Sequence, residues 1–288
     1  MIIDTIEKLS ERALPTGGFC SRNGSGYRTD ATAWAAVALA TLGMREDLVQ
    51  SARSQLAEDQ MEDGRLSVSP NHPQAFWPTP LAILAWHASP SHREPQSRAL
   101  EFLLATAGKH WKKSEDAVIC NDPSIRGWPW IENTHSWVEP TAMVLMALDL
   151  TGYGDHERAR EARLMLLDRQ LELGGWNYGN TSVFGQKLRP MALSTGLALN
   201  ALARRVPREI VEKSISYLKF QVGHLCTPLS LSWAFLGLGA WGERPANANN
   251  FVLQCLNRQK IYGSYDTQHL SLLLVALMAK RGLLSLYA

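Results

Sequence analysis

Nothing in this 288-residue chain is concentrated enough to mark a membrane span, a disulfide framework or a nucleic-acid groove. Its longest apolar run, LSLSWAFLGLGAW from Leu229 to Trp241, stops short of the roughly 20 residues that a bilayer-spanning helix needs. Lys and Arg total 29 against 27 Asp and Glu, so no basic field points at nucleic acid as a partner. The cysteines, Cys20, Cys120, Cys226 and Cys255, lie far apart without a CxxC pair. That argues against a disulfide framework or a zinc ribbon and fits a reducing compartment. The opening residues, MIIDTIEKLSER, carry charges throughout and read as an amphipathic helix, not a signal peptide. A cytoplasmic location is the expectation, with peripheral membrane contact as its variant. No segment sustains the apolar–polar alternation of a strand, so the fold class is all-α.

What the chain has in place of these features is repetition. An apolar, Ala- and Leu-rich segment entered through an acid, a proline or a threonine recurs six times. The copies are DATAWAAVALATLG from Asp30, WPTPLAILAWHA from Trp77, EPTAMVLMALDLTG from Glu139, RPMALSTGLALNALA from Arg189, CTPLSLSWAFLGLG from Cys226 and DTQHLSLLLVALMA from Asp266. The segments between them, such as EDLVQSARSQLAEDQ and REIVEKSISYLKFQ, are amphipathic. In the first, Leu48, Val49, Ala52 and Leu56 form one stripe with charges opposite. The pattern predicts six helical hairpins, each an amphipathic outer helix followed by an apolar inner one. Packed with the apolar helices inside, consecutive hairpins keep those helices parallel and close into an (α/α)6 toroid, a single domain over residues 1–288. An open solenoid is the competing arrangement, but it would expose one side of each apolar helix. In the ring, all inner N-termini share one mouth, where free N–H groups and positive dipole ends converge.

The loops that lead into the inner helices carry a second repeated feature. Gln60-Met-Glu-Asp-Gly64-Arg-Leu66, Gln170-Leu-Glu-Leu-Gly174-Gly175-Trp176 and Gln259-Lys-Ile-Tyr-Gly263-Ser-Tyr265 all read QxxxGx before an apolar or aromatic residue. This pattern resembles the QW repeat of the squalene and terpene cyclases and of protein prenyltransferase β-subunits, across essentially the whole chain. The resemblance implies the toroid fold and a central apolar cavity for an isoprenoid chain. In the cyclases, an acid motif Asp-x-Asp-Asp-Thr-Ala opens an inner helix and its central Asp protonates an alkene or epoxide. Trp137-Val138-Glu139-Pro140-Thr141-Ala142 aligns on that motif, after the aromatic run Gly127-Trp128-Pro129-Trp130. Glu139 thus stands in the place of the proton donor, while Trp137 and Pro140 replace its flanking aspartates. Asp30 and Asp266 are the secondary acid–base candidates, and His135 is a candidate hydrogen-bond donor to Glu139.

The prenyltransferase side of the resemblance implies zinc. There an Asp-x-Cys and a His in successive repeats hold the metal; here His224-Leu225-Cys226 and Tyr265-Asp266-Thr267 supply the same ligand types with His and Asp exchanged. His224, Cys226 and Asp266 are therefore the candidate ligands, leaving one position open for catalysis. Trp77, Trp128, Trp130, Trp137 and Trp176 lie at the entrances of inner helices, where aromatic faces can stabilise cations and hold isoprenoid chains. Arg28 and Arg189, also ahead of inner helices, would attract an anionic head group. The function expected is an isoprenoid-binding enzyme with cyclase-like acid–base chemistry. Its alternatives are a zinc-dependent prenyltransferase-like enzyme completed by a partner subunit, and a non-catalytic binding toroid. A glycosidase on an (α/α)6 barrel is a further reading; inner helices this short of polar groups are poor walls for a sugar site.

Overall fold

A computed structural model describes residues 1–114 and 118–288. The chain runs through α1 (Ile2–Ser10), α2 (Thr29–Leu42), α3 (Glu46–Glu58), α4 (Thr79–Trp86), α5 (Arg93–Ala105), α6 (Val138–Leu150), α7 (Glu157–Asp168), α8 (Ala192–Leu202), α9 (Arg208–Gln221), α10 (Pro228–Ala240), α11 (Ala248–Asn257), α12 (Gln259–Tyr262) and α13 (Thr267–Met278). The apolar segments form α2, α4, α6, α8, α10 and α13. Every residue of α2 from Thr29 to Leu39, and of α6 from Val138 to Leu148, is buried. The amphipathic helices bury only a stripe, Val49, Ala52 and Leu56 in α3 and Val211, Ser214, Ile215 and Leu218 in α9. A helix apolar on all sides needs neighbours on all sides. The apolar helices get them by packing in the closed order α2, α4, α6, α8, α10, α13 and back to α2, with the amphipathic helices outside. The fold is the all-α toroid with parallel inner helices.

A repeated threonine sets the register between each loop and its inner helix. Thr32, Thr79, Thr141 and Thr195, all fully buried, accept a hydrogen bond from the backbone N–H of Phe19, Leu66, Trp128 and Trp176 respectively, at 2.9–3.0 Å. The apolar residue of each loop is thereby pinned behind the first turn of the inner helix that follows. Two of the QxxxGx glutamines tie one outer helix to the next, while Gln259 bonds within its own hairpin, donating to the Leu256 carbonyl and accepting from the Tyr265 N–H. Gln60 Nε2 donates to the Pro95 carbonyl of α5, and Gln170 Nε2 to Ser214 Oγ and the Ile210 carbonyl of α9. Gly64 and Gly174 have φ of +92° and +93°, and a Cβ on either would collide with the backbone of Arg98 or Lys213. Glycine is required there both for conformation and for close approach.

The ring closes through buried polar contacts between its first and last hairpins. Arg12, 4% exposed, donates to the Tyr265 carbonyl at 2.5 Å and to Ser264 Oγ at 3.1 Å. Thr267 donates to the Cys20 carbonyl at 2.6 Å, and its own N–H reaches the Ser21 carbonyl. At the end away from the mouth, the last residues cross beneath the barrel. The Leu283 N–H donates to Asn200 Oδ1 of α8, and the Tyr287 hydroxyl donates to the Leu84 carbonyl of α4.

The interior is crossed by aromatic side chains. Trp34 of α2 and Trp233 of α10 meet edge to face, with ring centroids 5.9 Å apart, and are almost fully buried. Since α13 separates α2 from α10 in the ring, this contact spans the interior. Each indole is the sixth residue of its helix, which puts the pair roughly 8 Å below the helix starts.

Candidate functional site

Glu139 is the second residue of α6, at the mouth, and is 9% exposed. Its Oε1 accepts a 2.9 Å hydrogen bond from Ser194 Oγ, on the neighbouring inner helix α8. Burial pushes the carboxyl above the usual glutamate range, and the Ser194 hydroxyl opposes this only in part. Ser194 was not legible as a site residue, yet the repeated threonine carries the signal. Glu139 stands two residues before Thr141 and Ser194 one before Thr195, so both fall on the mouth-facing turn of their helices. His135 does not serve as the donor expected for Glu139. It is exposed, and its ring packs between Trp111 (5.0 Å) and Trp137 (6.4 Å).

The other two acids lie across the ring from α8 and α6, on the neighbouring helices α2 and α13. Asp30 is buried and held by a two-pronged ion pair, Arg28 Nε to Oδ1 at 2.8 Å and Nη2 to Oδ2 at 3.1 Å. Arg28 is therefore occupied by Asp30 and is not the free head-group cation the sequence suggested. Asp266 caps α13, accepting from the His269 N–H at 2.8 Å while its Oδ1 lies 3.1 Å from His269 Nδ1. Burial lowers the His269 imidazole below its usual range, against the pull of Asp266. The expected zinc ligands are not gathered. Among the described residues no three His, Cys, Asp or Glu side chains converge. Cys226 is solvent-exposed and Asp266 is committed to its helix cap.

The entrance tryptophans divide into two groups. Trp128 and Trp176 are fully buried behind the inner helices, and their indole N–H groups donate to the outer-helix carbonyls of Leu103 and Leu166. They are packing residues, and no substrate reaches them; the threonine hydrogen bond to their own backbone holds them there. Trp77, Trp130 and Trp137 are partly exposed, and Trp77 and Trp130 form an edge-to-face pair at 5.5 Å. Arg189 is exposed and makes no ion pair among the described residues, whereas Lys187 is paired with Glu172 and Arg126 with Glu161.

The toroid places the chain among proteins of one architecture. Over 96% of its length it superposes on 98% of the type II terpene cyclase MstE from Scytonema, a structure in complex with geranylgeranyl dihydroxybenzoate, with a TM-score of 0.64 and 14% identity. The ent-copalyl diphosphate synthase from Streptomyces platensis is similar over 88% of this chain and 49% of its own, with a TM-score of 0.54 and 17% identity. An alpha-amylase from Clostridium perfringens is similar at a TM-score of 0.63 and 12% identity, over 97% of this chain and 96% of its own. No protein-family model matches the sequence, and no curated protein matches it. The chain thus has the fold of the type II terpene cyclases, and that fold also carries other chemistry.

Proposed function

We propose that this protein is an isoprenoid-binding enzyme of the terpene-cyclase type, in which Glu139 delivers a proton to a polyprenyl substrate at the mouth of the toroid. The observation that carries this reading is the Glu139 carboxyl itself, buried at the start of an inner helix with a single hydroxyl partner. Burial favours its protonated form. Ser194 donates to Oε1, which leaves Oε2 to carry the proton. Once the proton has gone, the same hydroxyl and the N-terminus of α6 stabilise the carboxylate. A carboxyl whose pKa is raised is a modest acid, so an epoxide or a polarised alkene suits it better than an unactivated one. The terpene cyclase it resembles in fold binds a geranylgeranyl chain joined to an aromatic acid, and a substrate of that kind suits the aromatic mouth of this toroid. Incubation with geranylgeranyl-type substrates and their terminal epoxides tests the reading. Glu139→Gln is expected to abolish product formation while ligand binding persists; product formed by that variant at the native rate would retire the role of Glu139.

Lipid access is part of the proposal. Large apolar side chains stand out on the segments that run from outer to inner helices and at the end of α9: Leu173 is 85% exposed, Phe184 80%, Ile261 77%, Tyr262 72%, and Phe220 in the last turn of α9 72%. These segments surround the mouth, so the apolar rim and the site share one face. Among the described residues no helix is long and apolar enough to cross a membrane. Surface docking of the mouth is expected instead. Phe184→Asp combined with Ile261→Asp should lower co-sedimentation with phosphatidylcholine vesicles several-fold, and unchanged sedimentation would end this part of the reading.

A binding toroid without turnover is the second reading, favoured by the Trp34–Trp233 contact across the interior. Co-purified isoprenoid without product from any substrate would select it.

A further inference from the structure

The joint between the fifth and sixth hairpins is built differently from those that follow α3 and α7. Gln60 and Gln170 tie their loops to the next outer helix, but Gln221, the last residue of α9, makes no side-chain hydrogen bond among the described residues. The one hydrogen bond that joins the segment after α9, residues 222–227, to α11 comes from a thiol: Cys255 Sγ donates to the Cys226 carbonyl at 3.4 Å. A thiol is a weak donor, so little polar bonding holds this joint.

The two cysteines meet at a small cavity. Cys226 is solvent-exposed, Cys255 is 1% exposed, and both border a cavity of about 140 Å³ together with His224 and Arg258. That volume is about half the lower end of small-molecule sites, which excludes an isoprenoid or a nucleotide. At about 30 Å³ per water it admits a few water-sized molecules, and hydrogen peroxide is little larger than water. A carbonyl oxygen lies about 2.4 Å from its own Cα, so the Cys255 sulfur is within roughly 6 Å of the Cys226 Cα. A disulfide needs the two Cα atoms within about 7 Å of each other. Cys226 lies outside any helix, so its backbone can make the remaining approach without disturbing α11. The thiols are unequal. Burial pushes the Cys255 thiol above the ordinary cysteine range and hides it from solvent. Cys226 is the sulfur that a dissolved oxidant reaches first, and Cys255 can react only with what Cys226 becomes.

We propose that Cys226 and Cys255 form a two-thiol site that peroxide oxidises to a reversible disulfide, stapling the entrance of α10 to α11. Cys226 Sγ attacks one peroxide oxygen, the O–O bond breaks, and water leaves with a sulfenic acid on Cys226. Cys255 Sγ then displaces that hydroxyl, forming the S–S bond and a second water. The thiols together give up a pair of electrons and a pair of protons, which the peroxide carries off in the two waters. The disulfide supplies the tie that Gln221 does not, and a thiol reductant undoes it. The site draws on neither Glu139 nor an isoprenoid, so it stands or falls separately from the function proposed above.

Treatment of the reduced full-length protein with hydrogen peroxide, followed by mass-spectrometric mapping of its cysteines, tests the site. The expected product is a single chain lighter by two hydrogens, with Cys226 linked to Cys255, and dithiothreitol should restore both thiols. Cys226→Ser, at an exposed position where folding is not at stake, should slow peroxide oxidation of Cys255 about tenfold or more. Cys120→Ser, which removes the other exposed thiol, should leave the link intact. Amide exchange of residues 222–227 and of α11 should slow several-fold in the oxidised protein and recover on reduction. The proposal is overturned if peroxide leaves both thiols unmodified, or if Cys226 accumulates as sulfinic acid while Cys255 stays reduced. Pairing of Cys226 with Cys120 or with a second chain would equally sink it, as would Cys255 oxidation unchanged in Cys226→Ser, or exchange that is the same in both redox states.

Discussion

At the scale of single residues, the protonation of Glu139 ties stability to pH. Burial raises its carboxyl above the ordinary glutamate range, so the folded protein holds this proton more tightly than the unfolded chain does. The associated stability is fully present below about pH 4.5 and is lost as the pH rises through the higher folded-state value. Glu139→Gln stays neutral throughout and can still accept from Ser194. Its melting temperature should therefore match the wild type near pH 4 and exceed it once the pH rises past the folded-state value. A gap that does not widen with pH would show that the carboxylate is tolerated in its pocket. The location of Glu139 was legible because Pro140 and an apolar run place it at a helix start. Its partner was not, because Ser194 lies 55 residues away and only the packing of α8 against α6 joins them.

At the scale of elements, α8 and α10 approach more closely than ordinary side chains allow. A Cβ on Gly196 would sit 2.2 Å from the Trp233 carbonyl oxygen, and one on Gly237 would sit 2.6 Å from that of Gly196. Backbone atoms on both sides cannot step aside. Gly→Ala inside a helix normally stabilises by about 1 kcal/mol. Here Gly196→Ala should reverse that sign, with overpacking leaving a net loss of about 1–2 kcal/mol. Urea unfolding measures it, and a stabilised variant would show that the two helices have room to part. The helices themselves were readable from periodicity. The fates of the tryptophans at their entrances were not: Trp128, Trp176 and Trp137 all precede an inner helix. The hydrogen bonds of Thr141 and Thr195 turn the first two inward, leaving Trp137 at the mouth.

At the scale of the molecule, the ring depends on its seam. Arg12 is buried and satisfied by the Tyr265 carbonyl and Ser264, contacts between residues more than 250 positions apart. Arg12→Ala removes charge-assisted bonds worth about 1.5–3 kcal/mol and leaves the carbonyl unpaired. The expected result is a loss of that order, with faster amide exchange concentrated in α1 and α13. Exchange that accelerates evenly around the ring would mean the seam is no weaker than any other joint.

Repetition along the chain was enough to determine six hairpins and their inside and outside, because burial periodicity is a local property of sequence. The common mouth and the position of Glu139 at it followed from that repetition alone. Only the closed structure decided which polar groups meet, since pairs such as Glu139 with Ser194, or the Asp122 N–H with Asp168, join residues from different hairpins. It also decided that Arg28 is spent on Asp30, that His224, Cys226 and Asp266 stay apart, and that Trp34 and Trp233 meet across the interior. Those outcomes rest on distances between helices, which pattern along a chain does not encode.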